Sequence, residues 1–151
     1  YRAFPEVDYL MGNHSDLVGR KARLVGLPTE VIVPFGELWG LDGWTIHERY
    51  SDIMIDGVIY RHGDKCKGGS RIAALANAQS EHHSLVQGHL HAQFGIEFAA
   101  NHERCIWGMQ VGCGVMPNHP NMKYSRVYAN RPILGCGVVI DGEPILERMK
   151  L

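Results

Sequence analysis

No stretch of the chain approaches the eighteen or so uninterrupted apolar residues that a membrane span needs, and the first residues lack the basic, then apolar, then small pattern of a secretory leader. Charge of one sign is also missing: Lys+Arg 15 stand against Asp+Glu 16, which excludes a basic nucleic-acid arm and an acidic solvating tail. There is no CxxC pair. Cys66, Cys105, Cys113 and Cys136 are widely spaced, so neither a zinc knuckle nor a dense disulfide frame is indicated, and reduced, mostly buried thiols in a cytoplasmic setting are expected. Gly68-Gly69-Ser70 could offer backbone N–H groups to an anion but lacks P-loop spacing, which argues against a nucleoside triphosphate site.

What remains is a composition of 45% hydrophobic and 21% charged residues over 151 positions, enough for one globular domain spanning 1–151. Histidine stands out. There are nine, more than Met, Cys, Phe or Trp, and they cluster. The chain opens at Tyr1 without Met and reaches a motif within its first fifteen residues, so an N-terminally incomplete piece is expected.

The local pattern reads as alternating strands and helices. Val7 to Met11 is β-prone and stops at Gly12-Asn13-His14, after which Ser15 or Asp16 can cap a helix from Leu17 that ends by Gly26. Val31-Ile32-Val33 reads as a strand, and Phe35 to Trp44 as an ordered loop rich in Gly and Trp. Asp56-Gly57 between Ser51–Ile55 and Val58–Arg61 predicts a type I′ hairpin. Ile72, Leu75, Ala76 and Gln79 recur at helical spacing within a helix over about 71–80, and Ser84 to Gln87 is a short strand. A second Asp-Gly hairpin turns at Asp141-Gly142, with Pro144 assigning its outer strand to a sheet edge. The echo between Val111-Gly112-Cys113-Gly114-Val115 and Leu134-Gly135-Cys136-Gly137-Val138 reads as two tight β crossings with small buried residues.

Three times a strand ends beside Gly and metal-competent side chains: Met11-Gly12-Asn13-His14, Arg61-His62-Gly63-Asp64 and Gln87-Gly88-His89-Leu90-His91. Ligands of open α/β sheets bind outside the carboxyl ends of strands, so three such loops on neighbouring strands would converge on one pocket. In an extended segment the His89/His91 spacing would send both imidazoles to one face. His82 and His83 suit a helix C-terminus, whereas His47, His102 and His119 read as structural or surface residues. Trp39, Trp44 and Trp107 read as core or pocket wall, since no basic stripe accompanies them.

Gly12-Asn13-His14, His62-Gly63 and Gly88-His89-Leu90-His91, in that order, resemble the last three motif blocks of the calcineurin-like metallophosphoesterases, G-N-H-[DE], His-Gly and G-H-x-H. The tail, Gly135 to Gly142, is similar to phage-type members. The resemblance implies an α/β sandwich of mixed β-sheets flanked by helices, represented by its C-terminal portion. It implies metal-dependent hydrolysis of a phosphomonoester or phosphodiester by a metal-activated hydroxide. Asn13, His62 and His89 would bind one metal and His91 the other, with His14 near the leaving oxygen as general acid or charge stabiliser. Manganese, zinc, iron or nickel would suit mixed nitrogen and oxygen ligands. Asp16, Asp64 and Arg61 are candidates for orienting ligands or meeting substrate.

Two departures bear on activity. Ser15 stands where the family places Asp or Glu, with the carboxylate delayed to Asp16, and neither D-x-H nor G-D-x-x-D precedes Met11. Asn13, His62, His89 and His91 are all neutral ligands, so two dications and one hydroxide would leave about three uncompensated positive charges. At most one metal, weakly held, is therefore expected on this chain alone. Full activity would call for a complementary N-terminal chain. Self-association through uncovered apolar surface is also expected. Nucleic acid enters only as a substrate, a membrane not at all, and a phage-encoded chain would act in the host cytoplasm. The rival reading is a non-catalytic binding or assembly module that keeps the fold. A zinc hydrolase of another fold is discounted, because His91 is followed by Ala92 and Gln93 rather than an H-x-H-x-D-H pattern.

Overall fold

In the computed structural model the described residues are 4, 6–65, 70, 72–116, 120 and 130–150. Cys66, Gly68, Gly69, Arg71 and His119 lie outside them. The chain is mixed α/β and divides into two compact units, Tyr1–Ser51 and Asp52–Leu151. No helix among the described residues is long and apolar enough to cross a membrane.

In the first unit, β1 (Val7–Leu10) pairs in parallel with β2 (Trp44–His47), Val7 opposite Trp44 and Leu10 opposite His47. Helix α1 (Leu17–Leu24) follows β1, and Gly26 adopts the left-handed conformation just past its end, φ 71°. Asp16 stands at the N-cap without capping through its side chain, because its carboxylate faces Arg23 at 3.0 Å, Arg49 at 3.6 Å and Arg20 at 3.8 Å. Tyr9 stacks on Phe35 at 5.2 Å between ring centres and leans against Trp44.

The expected strand at Val31–Val33 is instead a 3₁₀ turn, Thr29–Val31. Pro28 and Pro34 bracket the segment, and no strand among the described residues offers it a ladder, so Val31 and Val33 are left exposed. The loop expected over 35–44 contains a short helix, α2 (Phe35–Leu38), and gives its last residue, Trp44, to β2.

The second unit is built on a five-stranded mixed sheet in the order β3-β4-β5-β7-β6. Its strands are β3 (Asp52–Ile55), β4 (Val58–Arg61), β5 (Ser84–Gln87), β6 (Phe94–Ala100) and β7 (Cys105–Val111). The β3–β4 hairpin turns at Asp56 and Gly57, both at positive φ as a type I′ turn requires. Helix α3 (Ala73–Glu81) is the crossover between the parallel strands β4 and β5, and β7 lies parallel to β5 on the other side.

Strand alternation divides the core into two faces. On one, Val58, Trp107 and Met109 pack with Tyr60, Val86, Ile96, Val111, Val139 and Leu146, the last two from the closing hairpin of β8 (Gly135–Ile140) and β9 (Glu143–Arg148). That hairpin turns at Asp141 and Gly142 and is tied to the sheet by Trp107, whose indole N–H donates to the Gly142 carbonyl at 3.0 Å. On the other face, Ile59 and Leu85 pack against Ala78 of α3.

The buried face of α3 is Ala73, Ala74 and Ala78, not the larger residues at helical spacing; Ile72, Ala76 and Gln79 are exposed. The reason is close approach. Gly108 of β7 lies directly beneath the helix backbone, and a Cβ there would collide with Ala74 and Leu75. Small residues on both sides let helix and sheet touch through main chain.

The cysteine expectation needs correction. Cys105, Cys113 and Cys136 are all free, but only Cys113 is buried, bridged in parallel to Leu134; Cys105 and Cys136 are exposed. Trp39 is exposed as well, against its expected place in a core or pocket wall, while Trp107 is buried.

Candidate metal centre

The carboxyl ends of β4 and β5 are adjacent because the strands run parallel in register, with Arg61 opposite Gln87. The residues that follow are His62-Gly63 on one strand and Gly88-His89 on the other, and the two loops are zipped by a Gly88 N–H bond to the His62 carbonyl at 3.1 Å. Gly63 takes φ 106°, and a Cβ there would press on the Gly88 carbonyl at 3.2 Å, so glycine is required at this crossing.

The consequence is a meeting of two imidazoles. His89 Nδ1 lies 3.3 Å from His62 Nε2, with ring centres 5.2 Å apart and planes at 68°. Two such nitrogens share either a proton, as N–H···N, or a cation. At the usual 2.0–2.1 Å to one ion, a 3.3 Å separation subtends about 105°, close to tetrahedral. On this observation the pair fits a divalent metal. Among the described residues, no group of three or more His, Cys, Asp or Glu side chains is gathered so as to hold one.

The G-H-x-H segment is not extended, contrary to expectation. Leu90 N–H bonds back to the Gly88 carbonyl at 2.7 Å around His89 at φ 65°, the rarer and more strained sense of a three-residue turn. A second contact of the same span joins His91 N–H to the His89 carbonyl at 3.1 Å. Same-face placement of His89 and His91 by strand alternation therefore does not apply. The His91 carbonyl accepts from Ile133 N–H at 2.8 Å, which ties the loop to the chain ahead of β8.

Asn13 and His14 belong to the first unit, at the end of β1, which pairs with β2 and not with the strands carrying His62 and His89. The Asn13 carbonyl accepts from Arg20 at 2.8 Å, His14 is exposed, and the Ser15 hydroxyl pairs with that of Tyr9 at 2.7 Å. His47, read as structural, meets Asp8 at 2.6 Å. His82 closes α3 in the left-handed conformation, φ 58°, and His102 is exposed. Asp64 is half-buried two residues after His62.

Arg61 does not face outward to meet a phosphate oxygen. Its buried guanidinium donates to Asp52 and to Glu81, each at 2.7 Å. The bond from Arg61 holds the Glu81 carboxyl below its ordinary range, partly offset by desolvation.

Sequence reasoning passed over the polar ladder beneath the site. Gln87 and Gln110, 1% and 3% exposed, lie opposite each other on β5 and β7. Asn77 donates to Gln87 Oε1 at 2.8 Å, Gln87 Nε2 donates to Gln110 Oε1 at 2.9 Å, and Gln110 Nε2 donates to the Gly88 carbonyl. A signal existed: Gln87 occupies the same alternation phase as buried Leu85, where a polar side chain must find partners.

No model of a known protein family matches this chain, and no curated protein matches it either.

Proposed function

We propose that the chain carries the metal-binding half of a phosphoester hydrolase. The supporting observation is the 3.3 Å approach of His62 Nε2 and His89 Nδ1 at the ends of two adjacent parallel strands. His62 and His89 would hold a divalent manganese, zinc, iron or nickel ion, with His91 of the same unit as a further ligand that the resemblance implies. When bound, such an ion neutralises phosphoryl charge and acidifies water at neutral pH.

The chain's own residues have separate tasks. Each imidazole binds through one nitrogen in its neutral form. Gly63 and Gly88 keep side chains out of the crossing, and the Gln87–Gln110 ladder fixes the backbone that carries His89. A neutral donor set suits one ion better than two, so the chain alone is a weak catalyst, and a segment bearing D-x-H and G-D-x-x-D would supply the missing carboxylates.

The test is metal-dependent thermal stabilisation together with hydrolysis of bis-p-nitrophenyl phosphate, with and without that co-expressed segment. His62→Ala and His89→Ala should each abolish both responses. Stabilisation by Mn²⁺ or Zn²⁺ that survives His89→Ala would overturn the reading. A second reading, a non-catalytic binding or assembly module, draws on the lack of a third clustered ligand among the described residues. It predicts metal binding lost with His89 but no hydrolysis even when the segment is supplied.

A further inference from the structure

Beside the histidine loop the second unit contains a cavity of about 460 Å³, within the range of small-molecule pockets. Its walls include Ile72 and Leu75 from the start of α3, Gly95 and Glu97 from β6, Gln110 from β7, and Ile133. Two of these walls are bonded to the loop: Gln110 donates to the Gly88 carbonyl, and Ile133 N–H donates to the His91 carbonyl at 2.8 Å. The cavity walls and the backbone of the histidine loop are therefore hydrogen-bonded to one another.

We propose that this cavity receives the amino-bearing base of a purine nucleotide, which makes a nucleotide the phosphoester substrate. The nucleotide assignment rests on the hydrolase reading; the base pocket stands on its own walls. Gly95 supplies a floor without a side chain, and a Cβ there would meet nothing within 4 Å, so a flat body can lie against the strand. Two residues on and on the same face, Glu97 is exposed and has no ion-pair partner among the described residues. It is the one charged side chain among the described walls. A carboxylate accepts two adjacent N–H groups side by side, the pattern that the N1–H and 2-amino groups of guanine present. Ile72, Leu75 and Ile133 provide apolar contact for the ring. The Gln110 amide, which already gives one N–H to Gly88 and accepts from Gln87, retains a second N–H and a second lone pair. The same carboxylate repels a phosphate, so the phosphoryl group belongs at the imidazoles and the base in the cavity.

The experiment is calorimetric titration of the full chain with guanosine, which has no phosphate, and with inosine, which lacks the 2-amino group. Guanosine should bind, and inosine about tenfold more weakly. Gly95→Val, which fills the floor with a residue that strands accept, and Glu97→Gln should each weaken guanosine by about tenfold or more, with far-ultraviolet circular dichroism unchanged. His89→Ala should leave guanosine binding as it is. Absence of guanosine binding at millimolar concentration, or equal binding by Gly95→Val and Glu97→Gln, overturns the base pocket. Guanosine binding that depends on Glu97, in a chain that hydrolyses no phosphoester, keeps the pocket and removes the nucleotide substrate.

Discussion

The side-chain amide of Gln110 donates to the carbonyl oxygen of Gly88, so a residue of β7 grips the main chain one position ahead of His89. Gln110 is 3% exposed, and its own oxygen is the acceptor for Gln87. Replacing it with Leu leaves the buried Gln87 side-chain N–H without its acceptor and removes one of the two donors to the Gly88 carbonyl, the other being Leu90 N–H. Gln110→Leu should cost about 2–3 kcal/mol in urea unfolding and weaken metal-dependent stabilisation. An unfolding midpoint and a metal response equal to those of the parent would show that the ladder does not hold the loop.

Gly108→Ala should be more damaging than its size suggests, because the new methyl group would overlap the main chain of Ala74 and Leu75 rather than a movable side chain. A loss of about 3 kcal/mol is expected. Gly95→Ala is the control, since open space lies above it, and its change should stay within about 1 kcal/mol.

The Arg61–Glu81 bond predicts an acid dependence. Glu81 has its carboxyl lowered from the ordinary 4.5, chiefly by the hydrogen bond from Arg61. A lowered acid contributes stability that is present above the unfolded value and lost as pH falls through the folded one. Glu81→Gln should therefore be less stable than the parent near neutrality, with the difference closing below about pH 4.5. The Glu81 side chain is 40% exposed, so the effect should be modest and reduced by salt. A difference that persists unchanged at pH 3 would assign the loss to packing instead.

Metal stoichiometry offers an independent check. After dialysis against EDTA and reloading, elemental analysis should find no more than one tightly held ion per chain, because neutral imidazoles cannot compensate two dications. Two retained ions would mean that carboxylates such as Asp64 contribute as direct ligands.

Several elements were legible because their signals are local. Both Asp-Gly hairpins form where the dipeptide places them, since positive φ at two successive residues is a property of those residues alone. The start of α1 and the strand at Ser84–Gln87 likewise follow from nearby residues. The segment Val31–Val33 misled because β propensity is realised only where a neighbouring strand provides partners. Helix α3 forms where the spacing places it, but its buried face of Ala73, Ala74 and Ala78 is set by the glycine opposite it, which no periodicity within the helix can reveal.

By itself, the sequence determined the turns, the strand ends and the glycine-flanked histidines, because each depends on the conformational range of a few consecutive residues. Which histidines meet was settled in three dimensions. His62 and His89 approach because β4 and β5 pair in parallel around α3, whereas β1, which leads to Asn13, pairs with β2. The service of Gln87 and Gln110 beneath them was decided there too, since burial turns an ordinary polar side chain into one that must be bonded.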